Sequence, residues 1–273
     1  MTKQKRLFPS DLFMVPLCLL MLYPFYFLVV STFKTLREVS YSPTAFPQAF
    51  YVQNYLEVFE KTPIVHAFGN TILLTLCSVF VIVLVGLMAA YPIVYNPCKL
   101  NNGVMVYLML GFLVPFQAIL LSLFEVMLSL NLIDKLWGMI LFYSNGSALT
   151  IFLAVGYMRT LPKDLNEAAV IDGAGIARIF FQIIMPLMKP IVVTSIIFNT
   201  MWIWNDFIAP NIFLSSRSNT TIVLEIFRAR GQFTTNWPMF MSLSVIAISP
   251  IFVFYCFMQK HIIKGLVAGS VKG

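Results

Sequence analysis

The sequence has little charge. Only 11% of its 273 residues are Asp, Glu, Lys or Arg, and 59% are hydrophobic. An average soluble domain carries about 25% charged residues. The mean hydropathy is correspondingly high, at +0.86. A chain of this composition cannot cover a soluble globule with polar side chains, so an ordinary soluble enzyme is excluded.

Cysteine and histidine are also scarce. The four cysteines are dispersed and form no C-x-x-C pair, which favours small buried apolar residues over a redox or metal motif. They are Cys18, Cys77, Cys98 and Cys256. The two histidines, His66 and His261, are far apart in the sequence and fall on opposite sides of the predicted membrane domain. We therefore predict no metal site.

Signatures of nucleotide binding and catalysis are absent from the sequence. It contains no G-x-x-x-x-G-K-[ST] segment and no glycine-rich dinucleotide loop after a strand pattern. It also lacks a Ser/His/Asp or Cys/His arrangement and paired carboxylates within one apolar run. We therefore expect no catalytic residues, no cofactor bound by this chain and no ATP hydrolysis by it.

Long apolar runs fill most of the chain. Crossing about 30 Å of hydrocarbon takes roughly 17 to 25 helical residues. We predict an all-α, polytopic membrane protein with a single domain over residues 1–273. Its six transmembrane helices are expected at about residues 12–33, 70–91, 104–124, 138–158, 191–214 and 239–259. The first run has no small-residue cleavage site after it and is expected to stay as a membrane anchor.

Lys and Arg are divided unequally between the two sides of this predicted bundle. With the N-terminus inside, eleven of the 18 lie in inner segments and seven in outer segments. Cytoplasmic loops carry an excess of these residues, so both termini are predicted to be cytoplasmic. The net charge of +7 is thus explained by membrane topology, and we predict contact with lipid and no nucleic-acid partner.

A polar segment, residues 162–175, lies between the fourth and fifth spans on the predicted cytoplasmic side. Asp164 is a suitable N-cap with Glu167 three residues later, which is the spacing of a capping box. Gly173 suits the left-handed position after a helix. We therefore predict a helix over residues 165–172. Isolated helices shorter than roughly 12 residues are marginal in water, so this one needs tertiary contacts.

One face of this short helix is predicted to be smooth. Leu165, Ala168, Ala169 and Asp172 are spaced at i, i+3, i+4 and i+7, which places them on one side. Alanine allows another surface to approach the backbone closely, which favours a docking surface for a cytoplasmic partner. The alternative is a tight connection folded back on the ends of its own spans, and spacing alone leaves both open.

The same segment begins a longer spaced pattern. Glu167-Ala168-Ala169 is followed after three residues by Gly173, after nine more by Ile183, and after two more by Pro186. This pattern resembles the EAA signature of permease subunits in bacterial ABC importers, with Met185 where that family usually has Leu. Two further stretches are similar to the carbohydrate-uptake branch of the family: Trp202-Ile-Trp-Asn-Asp-Phe207 and the ending Gly269-Ser-Val-Lys-Gly273.

The resemblance implies roles for two segments. In that family the helix with the signature is a coupling helix that docks on a cytoplasmic ATPase subunit. The implied docking residues are Asp164, Leu165, Glu167, Ala168, Ala169, Asp172 and Gly173. The C-terminal tail would also contact the ATPase pair, through Gly269, Ser270, Val271, Lys272 and Gly273. A frayed terminus is the alternative for the tail.

The resemblance also implies an assembly. It would contain a second, homologous permease subunit, two cytoplasmic ATPase subunits that use ATP and magnesium, and an extracytoplasmic solute-binding protein. ATP binding would draw two coupling helices together, the spans would rock, and a carbohydrate substrate would pass inward. The alternative is an ATP-independent secondary carrier or channel acting as a dimer, which would not need a docking helix.

Asp206 is an ionisable residue inside the predicted fifth span. Such residues are functional candidates, because an unpaired charge in hydrocarbon costs several kcal/mol. Trp202 and Asn205 lie within one helical turn of it, and an aromatic face beside hydrogen-bonding groups suits a sugar. Gln117 and Asn199 are weaker candidates for the same substrate path. The alternative is a polar cluster that packs helices together.

Overall fold

The computed structural model describes the backbone of residues 9–232 and 236–270, and the side chains of residues 13–231 and 236–260. Within these ranges every regular element is helical, which confirms the all-α prediction. The α-helices are α1 (Pro9–Thr32), α2 (Leu36–Tyr41), α3 (Gln53–Lys61), α4 (Ile64–Tyr95), α5 (Lys99–Leu113), α6 (Phe116–Ser129), α7 (Leu136–Tyr143), α8 (Ser147–Met158), α9 (Asp164–Ile171), α10 (Ile176–Ile179), α11 (Met185–Leu187), α12 (Lys189–Asn205), α13 (Ile208–Phe213), α14 (Ile222–Gln232) and α15 (Trp237–Ser270). A 3-10 turn, Ser144–Gly146, precedes α8, and a π-helical turn, Phe180–Ile184, precedes α11.

The described residues pack as two compact units. The first contains the chain up to Val65 together with Glu225–Pro250, and the second contains His66–Leu224 with the chain from Ile251 onward. The core of the second unit is formed by apolar residues of α4, α7, α8 and α12, among them Ile82, Leu87, Met139, Met158 and Ile191. The expectation of one domain over residues 1–273 stays a prediction.

The apolar helices of the described residues account for four to six spans, against the six predicted. In the described residues, four stretches are long and apolar enough to cross a membrane by themselves: Phe13–Thr32, Ile64–Tyr95, Leu136–Met158 and Trp237–Lys260. Two bent helix pairs pass the same test together, which gives six spans if each pair counts as one. The predicted cytoplasmic location of both termini stays a prediction.

The third predicted span is not one continuous helix. The chain bends by 106° between α5 and α6, in the middle of the predicted residues 104–124. Pro115 supplies no backbone N–H, and it disfavours helical geometry in the residue before it. Val114 is accordingly extended, with φ −74° and ψ 122°.

The fifth predicted span, residues 191–214, is also wrong in its bounds. The helix of this span, α12, ends at Asn205, and Asp206 is extended with φ −70° and ψ 128°. The remaining residues form the separate short helix α13. At its other end, α12 meets the preceding helical segment at an angle of 76°, and Pro190 lies in its first turn, where a missing N–H costs nothing.

The first unit folds the chain after α1 by burying polar groups in pairs. Lys34 is fully buried, and its Nζ donates to the carbonyl oxygens of Ser42 at 2.9 Å and Pro43 at 3.1 Å. The buried Asn54 amide donates to the carbonyl oxygens of Thr32 at 2.8 Å and of Lys34 at 2.9 Å. Buried polar groups must find such partners, so this predicted outer segment is a folded structure rather than a loose loop.

Candidate functional site

The polar segment at residues 162–175 does form a helix, but its start differs from the prediction. The residue before its first turn is Lys163, in helical geometry, and no side chain caps the helix there. Asp164 is therefore the first helical residue rather than the N-cap, and the predicted capping box with Glu167 is wrong. The amides of Asn166 and Glu167 both bond the Lys163 carbonyl, at 2.9 and 3.1 Å, which closes the first turn through the backbone. Both carboxylates still lie in the first turn, where the helix dipole favours negative charge.

The end of α9 is as the sequence predicts. Gly173 has φ +76°, the left-handed conformation that glycine adopts without steric cost. The Ala174 amide bonds the Ala169 carbonyl, and the Gly173 amide bonds the Val170 carbonyl, both at 3.0 Å. This pair of hydrogen bonds is a Schellman motif, which satisfies carbonyl groups that a helix end otherwise leaves open. The helix is thereby stopped at a defined residue.

The prediction that Leu165, Ala168, Ala169 and Asp172 form one accessible face of α9 is wrong for Ala169. Ala169 is only 6% exposed and belongs to the core of its own unit, whereas Leu165, Ala168 and Asp172 are exposed. Burial of Ala169 puts part of that face against the chain itself. Contact with the chain's own core was the alternative that spacing left open, and for this one residue it is the observed arrangement.

Exposed apolar side chains lie beside α9 that the spacing argument missed. Val170 and Ile171 are 58% and 85% exposed, and Ile176, just beyond the turn, is 73% exposed. With Leu165 they form what we call the docking patch: Leu165, Val170, Ile171 and Ile176. The sequence did contain a signal for these residues, because they are large and apolar in an otherwise polar segment. A search for residues on one helical face overlooks that signal.

The structure brings some of the polar and aromatic residues predicted for the substrate path into contact. Asp206 accepts a hydrogen bond of 3.0 Å from the Tyr143 hydroxyl, and the Tyr143 ring meets the Trp202 ring edge-on at 5.6 Å. The other Asp206 oxygen accepts from the amides of Ile208 at 2.9 Å and Ala209 at 3.4 Å, at the start of α13. Asp206 thus has the partners expected of a group that packs helices together. Sequence reasoning missed Tyr143, which is 63 residues away and gives no local signal.

The other candidates for the substrate path lie in different surroundings. Asn199 is buried and donates to the Ser195 carbonyl at 2.8 Å and to the Thr150 hydroxyl at 3.4 Å. Asn205 is exposed and bonds the Met201 carbonyl, and Gln117 is exposed in the first turn of α6, just after the bend. Trp202 is 43% exposed. Asn205 and Trp202 are therefore the pair that can offer both an amide and an aromatic face.

Comparison with known proteins decides the family. Residues 82–267 match the model of the family described as binding-protein-dependent transport system inner membrane component. The chain belongs to this family. It is 34% identical over 259 residues to the multiple sugar-binding transport system permease protein MsmG of Streptococcus mutans, covering 93% of each chain. It is 32% identical over 254 residues to the melibiose/raffinose/stachyose import permease protein MelC of Bacillus subtilis, covering 92% of this chain and 91% of MelC.

A solved structure supports the fold of this inner membrane component. A chain in the crystal structure of a bacterial ABC transporter involved in the import of the acidic polysaccharide alginate superposes with a TM-score of 0.80. The match covers 94% of this chain and 99% of that one, at 18% sequence identity. At this identity the likeness speaks for the helical architecture alone.

A carboxylate ties together two turns of the inner membrane component that are predicted to lie outside. Asp134 Oδ1 accepts hydrogen bonds from the Ser215 amide at 3.1 Å, the Ser216 amide at 3.0 Å and the Ser216 hydroxyl at 2.9 Å. The Asn219 amide side chain donates to the Asp134 carbonyl at 2.7 Å. Burial acts to raise the pKa of Asp134, but the hydrogen bonds from Ser216, Asn219 and Ser215 outweigh it and hold the pKa below its usual value.

The Asp134 hydrogen bonds should make the pairing of these two turns sensitive to acid. Because the pKa is lowered on folding, the stabilisation is present above the usual Asp value and is lost as the pH falls through the lowered one. We expect the amides of Ser215 and Ser216 to lose hydrogen-exchange protection below about pH 4. In Asp134→Asn their protection should be lower at pH 7 and nearly independent of pH.

Two choices make the acid experiment on Asp134 specific. Asparagine tolerates the left-handed conformation that Asp134 adopts at φ 56°, so the variant removes the charge and keeps the turn. Glu125→Gln, in the same predicted outer segment, is the control and should leave both amides unchanged. Equal protection in Asp134→Asn and in the unmodified protein at pH 7 would refute this role for Asp134.

The predicted tail contact falls largely outside the described residues. Gly269 and Ser270 form the last backbone positions of α15, and their side chains are outside the described set. Val271, Lys272 and Gly273 lie outside the described residues altogether. The tail contact therefore stays a prediction.

Proposed function

We propose that this chain is one of two homologous membrane subunits of an ATP-driven importer for a sugar or oligosaccharide. The relatives MsmG and MelC are both named for sugar transport and align over nearly their whole length. The complex would also contain two cytoplasmic ATPase subunits, which use ATP and magnesium, and an extracytoplasmic solute-binding protein. The alternative of a carrier that works without ATP has no support from these relatives.

The proposal that α9 docks on an ATPase subunit rests on one observation: the docking patch is exposed on a helix that ends at a defined residue. Ile171, at the last turn of α9, is 85% exposed. Burying an apolar side chain of this size is worth about 1.5–3 kcal/mol. A partner with an apolar groove would gain that free energy at several positions of the docking patch at once, and it would supply the tertiary contacts that so short a helix needs.

The charges around the docking patch define the partner further. Asp164 and Glu167 in the first turn and Asp172 at the end of α9 are all exposed and acidic. The groove on the ATPase subunit should therefore be apolar at its centre and carry Lys or Arg at its edge, because such charge complementarity sets orientation and partner choice. With Leu165, Ala168 and Gly173, these residues make up the proposed contact, and Ala169 supports it from behind.

We propose Trp202 and Asn205 as the groups that this chain presents to a sugar. Both are exposed on α12, and the rings of Trp202 and Tyr143 pack in a T-shaped arrangement. A sugar offers hydroxyl groups to an amide and an apolar face to an aromatic ring. Asp206 supports this site indirectly, since its oxygens are engaged by Tyr143 and by the start of α13. Asn199 and Gln117, which the sequence predicts along the substrate path, remain part of this proposal.

The experiment is uptake into proteoliposomes by the purified complex, with the ATPase subunits and the binding protein added. Labelled raffinose, melibiose and stachyose serve as probes. ATP-dependent uptake of at least one is expected, together with co-purification of the ATPase subunits. Uptake that does not depend on ATP would support the secondary carrier instead, and the absence of uptake for all sugars tested would contradict the sugar assignment.

A matched pair of glycine variants tests the coupling helix within the same assay. Gly173→Ala forces a side chain into the left-handed conformation, at a cost of about 1–2 kcal/mol. Gly175→Ala changes a residue with φ −68°, and a Cβ at either glycine would meet open space. We expect uptake to fall severalfold in Gly173→Ala and to remain near the unmodified level in Gly175→Ala. Equal uptake by the two variants would mean that the defined helix end is not needed for coupling.

A further inference from the structure

A side-chain hydrogen bond ties α9 to the longest apolar helix of the second unit. Tyr91, near the end of α4, donates its hydroxyl hydrogen to Asn166 Oδ1 at 2.8 Å. The two residues are 75 positions apart in the sequence, and both are half-buried. Asn166 lies in the first turn of the eight-residue helix α9. Tyr91 is thus a direct link between the helix that carries the docking patch and a membrane span.

Aromatic contacts hold the Tyr91 ring in place. Its centroid lies 5.0 Å from the Tyr95 ring and 5.8 Å from the Phe180 ring, which it meets edge-on. Phe180 is buried and begins the π-helical turn that follows α9 and α10. Edge-on and tilted ring pairs of this kind restrict side-chain rotation. The Tyr91 hydroxyl therefore has a defined position relative to the backbone of α4.

A second attachment lies one turn further along α9. Ala169, three residues after Asn166, is buried in the core to which α4 contributes Leu87, Ala90 and Ile93. A short helix fixed at two points along its inner side cannot slide or roll without moving what it is fixed to. Ile171, which is 85% exposed, remains open to a partner.

We propose that Tyr91 is a positioning residue that passes movement of the docked helix α9 to the span α4. The inference rests on the proposed docking of α9 to an ATPase subunit. α4 has 32 residues, is apolar enough to cross the membrane, and contributes Ile82, Leu87 and Ala90 to the core, so displacement at its end displaces packed neighbours. Packed helices switch between discrete arrangements rather than deforming smoothly. The directional hydrogen bond between Tyr91 and Asn166 therefore selects which arrangement of α4 accompanies each position of α9.

The test exploits two neighbouring tyrosines. Tyr91→Phe removes the hydroxyl that bonds Asn166 and keeps the aromatic ring. Tyr95→Phe is the matched control, because the Tyr95 hydroxyl is buried and has no hydrogen-bond partner among the described residues. A second pair varies the acceptor: Asn166→Asp retains a side-chain oxygen for Tyr91 and should rescue the link, whereas Asn166→Leu abolishes it.

The first readout is the factor by which the solute-binding protein stimulates ATP hydrolysis by the assembled complex. Substitutions between coupled sites change coupling by about 0.5–2 kcal/mol, which corresponds to roughly two- to thirtyfold. We expect the stimulation factor to fall about two- to fivefold in Tyr91→Phe and Asn166→Leu. Tyr95→Phe and Asn166→Asp should stay close to the unmodified complex. Thermal midpoints measured in parallel should be similar for all four variants.

The second readout needs no ATPase. Spin labels at Lys163→Cys and Leu76→Cys, both exposed, are introduced after the four native cysteines are replaced by serine. The distribution of distances between them reports how firmly α9 is held to α4. It should be narrow in the unmodified protein and in Tyr95→Phe, and broader in Tyr91→Phe.

The two readouts separate the inference from the proposed function. If Tyr91→Phe matches Tyr95→Phe in both the label distances and the stimulation, Tyr91 is not the link and the inference is overturned. If the distances broaden as expected but the complex neither binds nor stimulates an ATPase, the proposed function fails. In that case the part of the inference that concerns transmission from the ATPase fails with it.

Discussion

Ile171→Asp is expected to release the ATPase subunits from the purified complex. Under the proposed docking, the substitution loses the burial of a large apolar side chain, about 1.5–3 kcal/mol. It also places a carboxylate in an apolar groove without a partner, which costs more. Together these terms predict at least a tenfold weaker association. The measurement is the amount of ATPase subunit retained on affinity-purified permease, with the folded state of the chain checked by its thermal midpoint.

The matched control for Ile171→Asp is Leu100→Asp. Leu100 is 73% exposed in the first turn of α5, in another segment that the charge rule places on the cytoplasmic side. It carries a similar apolar side chain outside the docking patch, so the ATPase should be retained at the unmodified level. If the two aspartate variants retain equal amounts of ATPase, the docking surface lies elsewhere on the chain.

Gly138→Ala is expected to destabilise the second unit strongly. A Cβ at Gly138 would overlap the Leu132 carbonyl oxygen, and it would lie 3.1 Å from both the Leu132 carbonyl carbon and the Leu132 Cβ. The neighbour is backbone and cannot rotate away, so the turn before α7 has to move. Overpacking of this kind costs about 1–3 kcal/mol, and the backbone displacement adds to it. We expect a clear fall in thermal midpoint and in the yield of folded protein.

Gly156→Ala provides the comparison for Gly138→Ala within the same predicted span. Gly156 is in α8, exposed, and a Cβ there would meet nothing within 4 Å. Alanine is a better helix former than glycine by about 0.8–1.0 kcal/mol, so this variant should be as stable as the unmodified protein or slightly more stable. A Gly138→Ala protein with an unchanged thermal midpoint would show that the close approach to Leu132 is not a constraint in the membrane.

The segment around α9 shows which features of a candidate site can be predicted from sequence patterns. The end of α9 at Gly173 was predictable because the left-handed conformation is a local requirement that glycine meets. The start was not, because Asp164 had an alternative that sequence cannot weigh: the backbone closes the first turn on the Lys163 carbonyl without help from a side chain. The prediction of an accessible face was wrong for a different reason. Whether Ala169 is buried depends on the core against which α9 packs, and that core is formed by residues distant in the sequence.

The membrane spans divide in the same way. Apolar length predicted the four spans that qualify by themselves, because the thickness of hydrocarbon sets a minimum run of residues, but it did not predict the breaks in the third and fifth. The break at Pro115 was visible as a proline, but its 106° angle depends on how α5 and α6 pack. The end of α12 before residue 214 depends on Asp206, whose carboxylate bonds the amides that begin α13.

The sequence by itself determined that this chain is a helical membrane protein with a short, sharply ended helix in a polar segment. These properties follow from composition, run length and local backbone geometry, all of which act between residues close in sequence. Only the tertiary structure decided that Ile171 is exposed while Ala169 is buried, that Tyr143 meets Asp206, and that Tyr91 holds Asn166. Those pairings join residues 63 and 75 positions apart, and they depend on how the helices pack, which no local pattern records.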